Sequence, residues 1–197
     1  MIKKLHNTLL VMAFIPLLAM SALELNTVPS VIVGDNNTAN TTEEVVTNGF
    51  QLTDVEKDRL EKALKINTYF HERSMPLFGH GMQFVLVAEK YGLPYDLLPA
   101  IAVRESSGGK NYINNNPFGW GSAKIPFSDF NEAIEVVGKN LAGANPRTAR
   151  YYATPDVKKK LYYYNGTVIK GYEDQVIAIM NKIDKTSIDI DVELASK

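Results

Sequence analysis

Cysteine is absent from this 197-residue chain, and histidine is scarce. Without a thiol there is no disulfide, no thiolate nucleophile and no Cys-based zinc site. The three histidines are His6, His71 and His80. The run HERSM at 71–75 has Met75 where H-E-x-x-H needs its second histidine, so that zinc motif fails and no motif calls for a metal or other cofactor. An excess of either charge is also missing. A net charge of −1 supplies no basic field for a polyanion, and no nucleic-acid partner is expected. Between residues 51 and 185 there is neither an internal repeat nor a run alternating with period 2, which leaves helices to build that region.

The apolar run Leu9–Met20 (LLVMAFIPLLAM) follows Lys3 and Lys4 and precedes the small residues Ser21 and Ala22. At 12 residues it falls short of the about 20 that a membrane span requires, and its order is that of a secretory signal. Residues 1–21 are therefore expected to be a signal peptide, cut after Ser21 or Ala22. The alternative is an uncleaved anchor in which residues 5–20 tether the protein to the membrane. Loss of the two lysines leaves a net charge of −3. Either way the expected location is extracytoplasmic, secreted or in the cell envelope. Residues 22–50 are rich in Asn and Thr and are expected to be a linker. The tail, 186–197, alternates apolar and acidic residues like a strand, but an isolated terminal segment of that kind frays.

The remaining span, 51–185, reads as one all-α domain. Thr53 with Glu56 forms a capping-box pattern ahead of a helix to about residue 67. Phe84, Val85, Ala88 and Tyr91 make one helical face that Gly92 and Pro94 end. A third helix is expected over 97–106 with Asp96 as N-cap. Asp129 and Glu132 start a fourth, striped by Phe130, Ala133, Ile134, Val137 and Leu141. Thr154 and Pro155 occupy the preferred first positions of a fifth. Tyr172, Val176, Ile179, Met180 and Ile183 form the apolar face of a sixth.

The third helix carries the chemistry. Leu98, Ile101, Ala102 and Glu105 fall at 0, 3, 4 and 7, so Glu105 continues the core-facing stripe. An acid withdrawn from water suits general acid catalysis, because desolvation favours the carboxyl form that has a proton to give. The alternative is a solvent-exposed Glu105 at a helix end, pairing with Arg104 or Lys110. Other matches in this stretch fail. Ser107–Lys110 fits S-x-x-K without a K-T-G partner, and Gly109-Lys110-Asn111 lacks the hydroxyl residue of a phosphate loop.

LLPAIAVRESSGG at 97–109, followed by NNPFGW at 115–120, resembles the catalytic core of the lysozyme-like superfamily. The similarity is to bacterial peptidoglycan-cleaving domains of the endo-β-N-acetylglucosaminidase and soluble lytic transglycosylase types. Tyr164-Asn165-Gly166, followed by Tyr172 and Val176, resembles the transglycosylase pattern Tyr-Asn-x-Gly with Tyr and Val on the next helix. One residue is missing between Asn165 and Gly166, a departure that falls beside Tyr164. The resemblance spans about residues 65–185. It implies a lysozyme-like fold with Glu105 as catalytic acid. Ser106, Asn116, Phe118, Trp120 and Tyr164 would bind substrate or shape its cleft, and the partner would be peptidoglycan glycan strands, met by a monomer without cofactors.

Two carboxylates are the usual requirement for glycoside hydrolysis. Only Glu105 sits in the motif, since Asp129, Glu132 and Glu135 are better explained as caps and a solvated face. A lytic transglycosylase needs one acid, because the muramyl C6 hydroxyl replaces water as nucleophile. The lone Glu105 leans toward that reaction, with hydrolysis by a distant carboxylate or by substrate assistance left open. The rivals are a non-catalytic wall-binding or scaffold module of the same fold, and an amidase, for which the chain offers neither thiol nor evident zinc ligands. For each aromatic residue, core packing competes with sugar stacking. Asn114, Asn115 and Asn116 read either as sugar contacts or as a turn-rich loop.

Overall fold

In the computed structural model, which describes residues 52–188, Thr53 closes the expected capping box. Its hydroxyl accepts the Glu56 N–H at 3.3 Å while its own N–H donates to Glu56 Oε2 at 2.8 Å. The helix it starts, α1 (Asp54–Glu72), runs five residues past the expected end. The apolar stripe explains the extension, because Ala63, Ile66 and Phe70 continue at helical spacing and all are buried.

α2 (Gly81–Tyr91) has no side-chain cap of its own. Asn67 of α1 does that work, its Oδ1 accepting the N–H groups of Gly79 and Gly81 at 3.0 and 2.9 Å. The approach is close enough that a Cβ on Gly81 would lie 2.3 Å from the Ala63 carbonyl oxygen. Gly92, at φ 65°, ends α2 as expected. α3 (Leu97–Ser106) begins after Asp96, but that carboxylate makes no capping hydrogen bond, contrary to expectation. Asp96 already has helical φ and ψ (−90°, −8°), whereas a capping residue takes an extended conformation that turns its side chain back to the first free N–H groups.

α4 (Phe130–Leu141) is capped by Asp129 as expected, with Ala133, Ile134, Val137 and Leu141 buried. The expected fifth helix starts later than Thr154. It is α6 (Val157–Leu161), capped by Asp156 Oδ1 on the Lys159 N–H. Before it lies an unforeseen short helix, α5 (Ala149–Tyr152). A π-helical segment, Tyr162–Gly166, continues from α6, and α7 (Tyr172–Asp184) follows.

α3 lies at the centre. Leu97, Leu98, Ala100, Ile101 and Ala102 are all fully buried. α7 packs along it, α2 and α4 also contact it, and α1 packs on α2 and α7. The domain is all-α, and no strand occurs among the described residues. No helix among them is long and apolar enough to cross a membrane. The signal or anchor at 1–21, the linker at 22–50 and most of the tail lie outside the described residues.

Candidate active site

The sequence RESSGG stops α3 where its stripe would leave the core. Ser107 adopts the left-handed conformation (φ 55°), and the Gly108 N–H reaches back to the Ala102 carbonyl at 3.1 Å. Ser106 is buried and bridges this turn. Its hydroxyl donates to the Ala102 carbonyl at 3.0 Å and accepts the Gly109 N–H at 2.9 Å. Glu105, one residue earlier, is therefore held at the rim of the core, half-buried.

Its partner is Tyr172. The Tyr172 ring is fully buried at the start of α7, and its hydroxyl donates to Glu105 Oε1 at 2.6 Å. Burial, reinforced by this hydrogen bond, pushes the Tyr172 phenol far above its ordinary range, so it stays a neutral donor at any working pH. Arg104, the neighbour with which an exposed Glu105 would pair, turns away and donates from Nε to Gln175 Oε1 at 2.7 Å. On the other side of the carboxyl, a Cβ on Gly119 would stand 3.4 Å from Glu105 Oε2. One carboxyl oxygen is thus fixed by Tyr172, and the other lies beside a residue without a side chain.

A cleft of about 500 Å³ opens here, lined by Glu105, by Phe118, Gly119, Trp120, Gly121 and Ser122, and by Tyr152, Tyr164 and Asn165. Glu105 is the one carboxylate among these lining residues. The loop after α3 makes one wall, and Asn116 organises it. That side chain is only 2% exposed. It donates to the Trp120 and Ile125 carbonyls at 2.8 and 3.2 Å and accepts the Trp120 N–H at 3.0 Å. Asn115 fastens the loop further to the Phe127 and Ser128 carbonyls, each at 3.0 Å. Four non-glycine loop residues, Asn114, Asn115, Ser122 and Ala123, have φ of 54–58°, a strained conformation held by these bonds.

The opposite wall comes from α5 and the π-helical segment. The Tyr164 hydroxyl donates to the Phe118 carbonyl at 2.6 Å and so ties the two walls together. Its ring is parallel to that of Tyr172 (7°, centroids 6.1 Å apart) and meets Trp120 at 5.7 Å. Burial, with the nearby Glu105 carboxylate next in effect, holds the Tyr164 phenol well above its usual range. Burial likewise pushes Tyr152 up to about 12. Tyr152 is fixed from behind by Lys160. That buried ammonium donates to the carbonyls of Tyr152 and Leu141, both at 2.6 Å, and so caps the last residues of α5 and α4.

Of the residues singled out in the sequence, Glu105, Phe118, Trp120 and Tyr164 meet at the cleft. Phe118 contributes its backbone, since its ring is buried in the core. Ser106 and Asn116, expected as substrate-binding residues, do not line it. Their polar atoms are spent inside the protein, where they shape the helix end and the loop. Tyr172, Tyr152 and Asn165 were given no site role, although Asn165 and Tyr172 belong to the segment that resembles the transglycosylase pattern. Tyr172 was legible as core from its spacing, and the signal for more was a tyrosine on an apolar stripe, whose hydroxyl must find a partner when buried. A hollow of about 610 Å³ between Tyr91–Pro94 and Ala153–Pro155 also reaches Lys160, but that ammonium is already committed to two carbonyls.

The chain matches no protein-family model, and no curated protein or solved structure is significantly similar to it.

Proposed function

We propose that this protein cleaves the glycan strands of peptidoglycan, with Glu105 as the only acid–base group the protein supplies and the substrate supplying the nucleophile. The observation that carries the reading is the isolation of Glu105. Among the described residues it is the sole carboxylate lining an aromatic cleft, and one of its oxygens is already occupied by a neutral hydroxyl donor. The resemblance of the 97–109 and 115–120 segments to lysozyme-like peptidoglycan-cleaving domains, and hence the fold expected for them, supports the same assignment.

The chemistry follows from the two oxygens. With Oε1 accepting from Tyr172, Oε2, beside Gly119, is the oxygen left free to pass a proton to the substrate. Glu105 gives that proton to the glycosidic oxygen as the C1–O bond breaks. The Tyr172 hydroxyl then stabilises the carboxylate left behind, through a charge-assisted hydrogen bond. In the second step the C6 hydroxyl of the muramyl residue attacks C1 and its proton returns to Glu105. A 1,6-anhydro ring closes, and the acid is restored without water or a second carboxylate. Ordinary two-carboxylate hydrolysis has no second group here among the lining residues. Trp120 and Tyr164 offer ring faces to the sugars, and Asn165 offers an amide.

The test is release of soluble glycan from purified peptidoglycan by the full chain and by Glu105→Gln. Loss of about 10²–10⁴-fold in the variant is expected for removal of a general acid. Binding to the wall with no release by either protein would instead favour a non-catalytic scaffold.

A further inference from the structure

The rings that line the cleft do not end at its edge. Tyr152, on the cleft wall, touches Tyr151 with centroids 6.3 Å apart. Tyr151 lies 5.4 Å from Tyr163, and Tyr163 lies 5.5 Å from Tyr162. In the other direction Tyr152 meets Trp120 at 6.1 Å, and Trp120 leads to Tyr164 and Tyr172 beside Glu105. An unbroken series of rings thus runs from the carboxyl to the surface.

The outer three are partly exposed, with the Arg150 guanidinium lying over the Tyr151 ring at 4.6 Å from its centroid. Tyr151, Tyr162 and Tyr163 are 37, 48 and 36% exposed, and their hydroxyls make no hydrogen bond among the described residues. The π-helical segment explains how neighbouring tyrosines face opposite ways. The Thr167 N–H bonds to the Tyr162 carbonyl five residues back at 3.0 Å, and this widened turn sends Tyr162 and Tyr163 outward while Tyr164 faces in. Packing does not require an exposed aromatic patch, and contiguous ones mark binding surfaces.

Continuity and chemistry decide the occupant. Tyr162 and Tyr163 each offer an apolar ring and a free hydroxyl edge, matching a pyranose with its C–H face and hydroxyl rim. Tyr151 adds a hydroxyl edge beside the Arg150 guanidinium, a donor to sugar hydroxyls. The charges around the patch are of both signs and nearly balanced, Asp156, Glu173 and Asp174 against Lys158, Lys159 and Lys170 beside Tyr162 and Arg150 over Tyr151, which gives no strongly basic field for an anionic lipid surface. We propose that Tyr151, Tyr162 and Tyr163 form an outer platform for the part of the glycan strand that extends beyond the cleft, so that the protein grips long strands more tightly than short ones. This rests on the glycan reading of the cleft.

The test uses the full chain carrying Glu105→Gln, to prevent turnover, and peptide-free peptidoglycan strands sorted into short and long fractions. Calorimetry is expected to show the long fraction bound about tenfold tighter. Adding Tyr151→Ala, Tyr162→Ala and Tyr163→Ala together is expected to abolish that preference and leave short-strand affinity unchanged. Tyr162→Ala alone, at the most exposed ring, is expected to reduce the preference two- to threefold and keeps the test open if the triple variant folds poorly. Persistence of the length preference in both variants, or equal loss on both fractions, would overturn the platform. So would a monomer–dimer equilibrium that the tyrosine changes abolish, because the patch would then bind a second copy. Failure of the parent to bind either fraction would instead overturn the glycan reading of the cleft.

Discussion

At the scale of single residues, the site depends on asymmetry around one carboxyl group. Tyr172→Phe keeps the buried ring and removes only the donor to Glu105 Oε1. Hydrogen bonds to charged groups contribute about 1.5–3 kcal/mol, so kcat is expected to fall roughly 10- to 100-fold with thermal stability nearly unchanged. Gly119→Ala tests the other oxygen. The new methyl would sit 3.4 Å from Oε2 on a backbone at φ 63°, where a side chain costs about 1–2 kcal/mol. Both stability and turnover are expected to drop, in contrast with Tyr172→Phe. The place of Glu105 on the α3 stripe was legible from spacing, whereas its choice as the acid came from the resemblance of the surrounding segment. The Tyr172 hydroxyl was not legible, because periodicity locates a ring in the core and says nothing of what its polar tip meets.

At the scale of elements, the long helices were legible, and of the short ones only α6 was expected, with a later start than Thr154 suggested. α2, α4 and α7 each repeat their apolar stripe over several turns, which tertiary packing then honours. α5 has four residues and the π-helical segment five, too few to show any period. Lys160 shows how local reading misleads. VKKKL looks like a solvated basic turn, yet Val157, Lys160 and Leu161 lie at 0, 3 and 4, which puts the last of these charges on the inward face. Lys160→Met fills the space but orphans the Leu141 carbonyl, since the Tyr152 carbonyl keeps the Thr154 N–H at 2.8 Å. A stability loss of about 1–3 kcal/mol is expected in chemical denaturation, with the Tyr152 wall loosened. Asp96 gives a pH-dependent counterpart. Burial first, and then the nearby Asp184 carboxylate, raise its folded-state pKa above the ordinary value. The ionised form is therefore disfavoured in the folded protein, a cost present at neutral pH and relieved as pH falls through the raised value. Asp96→Asn is expected to raise Tm at pH 7, and the gain is expected to vanish near pH 4, where the unfolded carboxyl also protonates.

At the scale of the molecule, one central helix delivers a carboxyl to the place where two independently built walls meet. The loop wall is held by Asn116 and Asn115, and the other by Lys160. The Tyr164–Phe118 bond joins them. All-α architecture was legible in the sequence, but the closing of this cleft was not, since it depends on contacts between residues 46 or more positions apart. The account stands most directly on the ends of the products. Peptidoglycan digested by the full chain, and in parallel by Glu105→Gln, would be analysed by mass spectrometry. Glycan fragments ending in 1,6-anhydromuramic acid, formed by the parent and missing with the variant, are predicted. Undiminished cleavage by Glu105→Gln, or reducing ends carrying oxygen from labelled water in place of the anhydro ring, would contradict a single-acid mechanism with the muramyl hydroxyl as nucleophile.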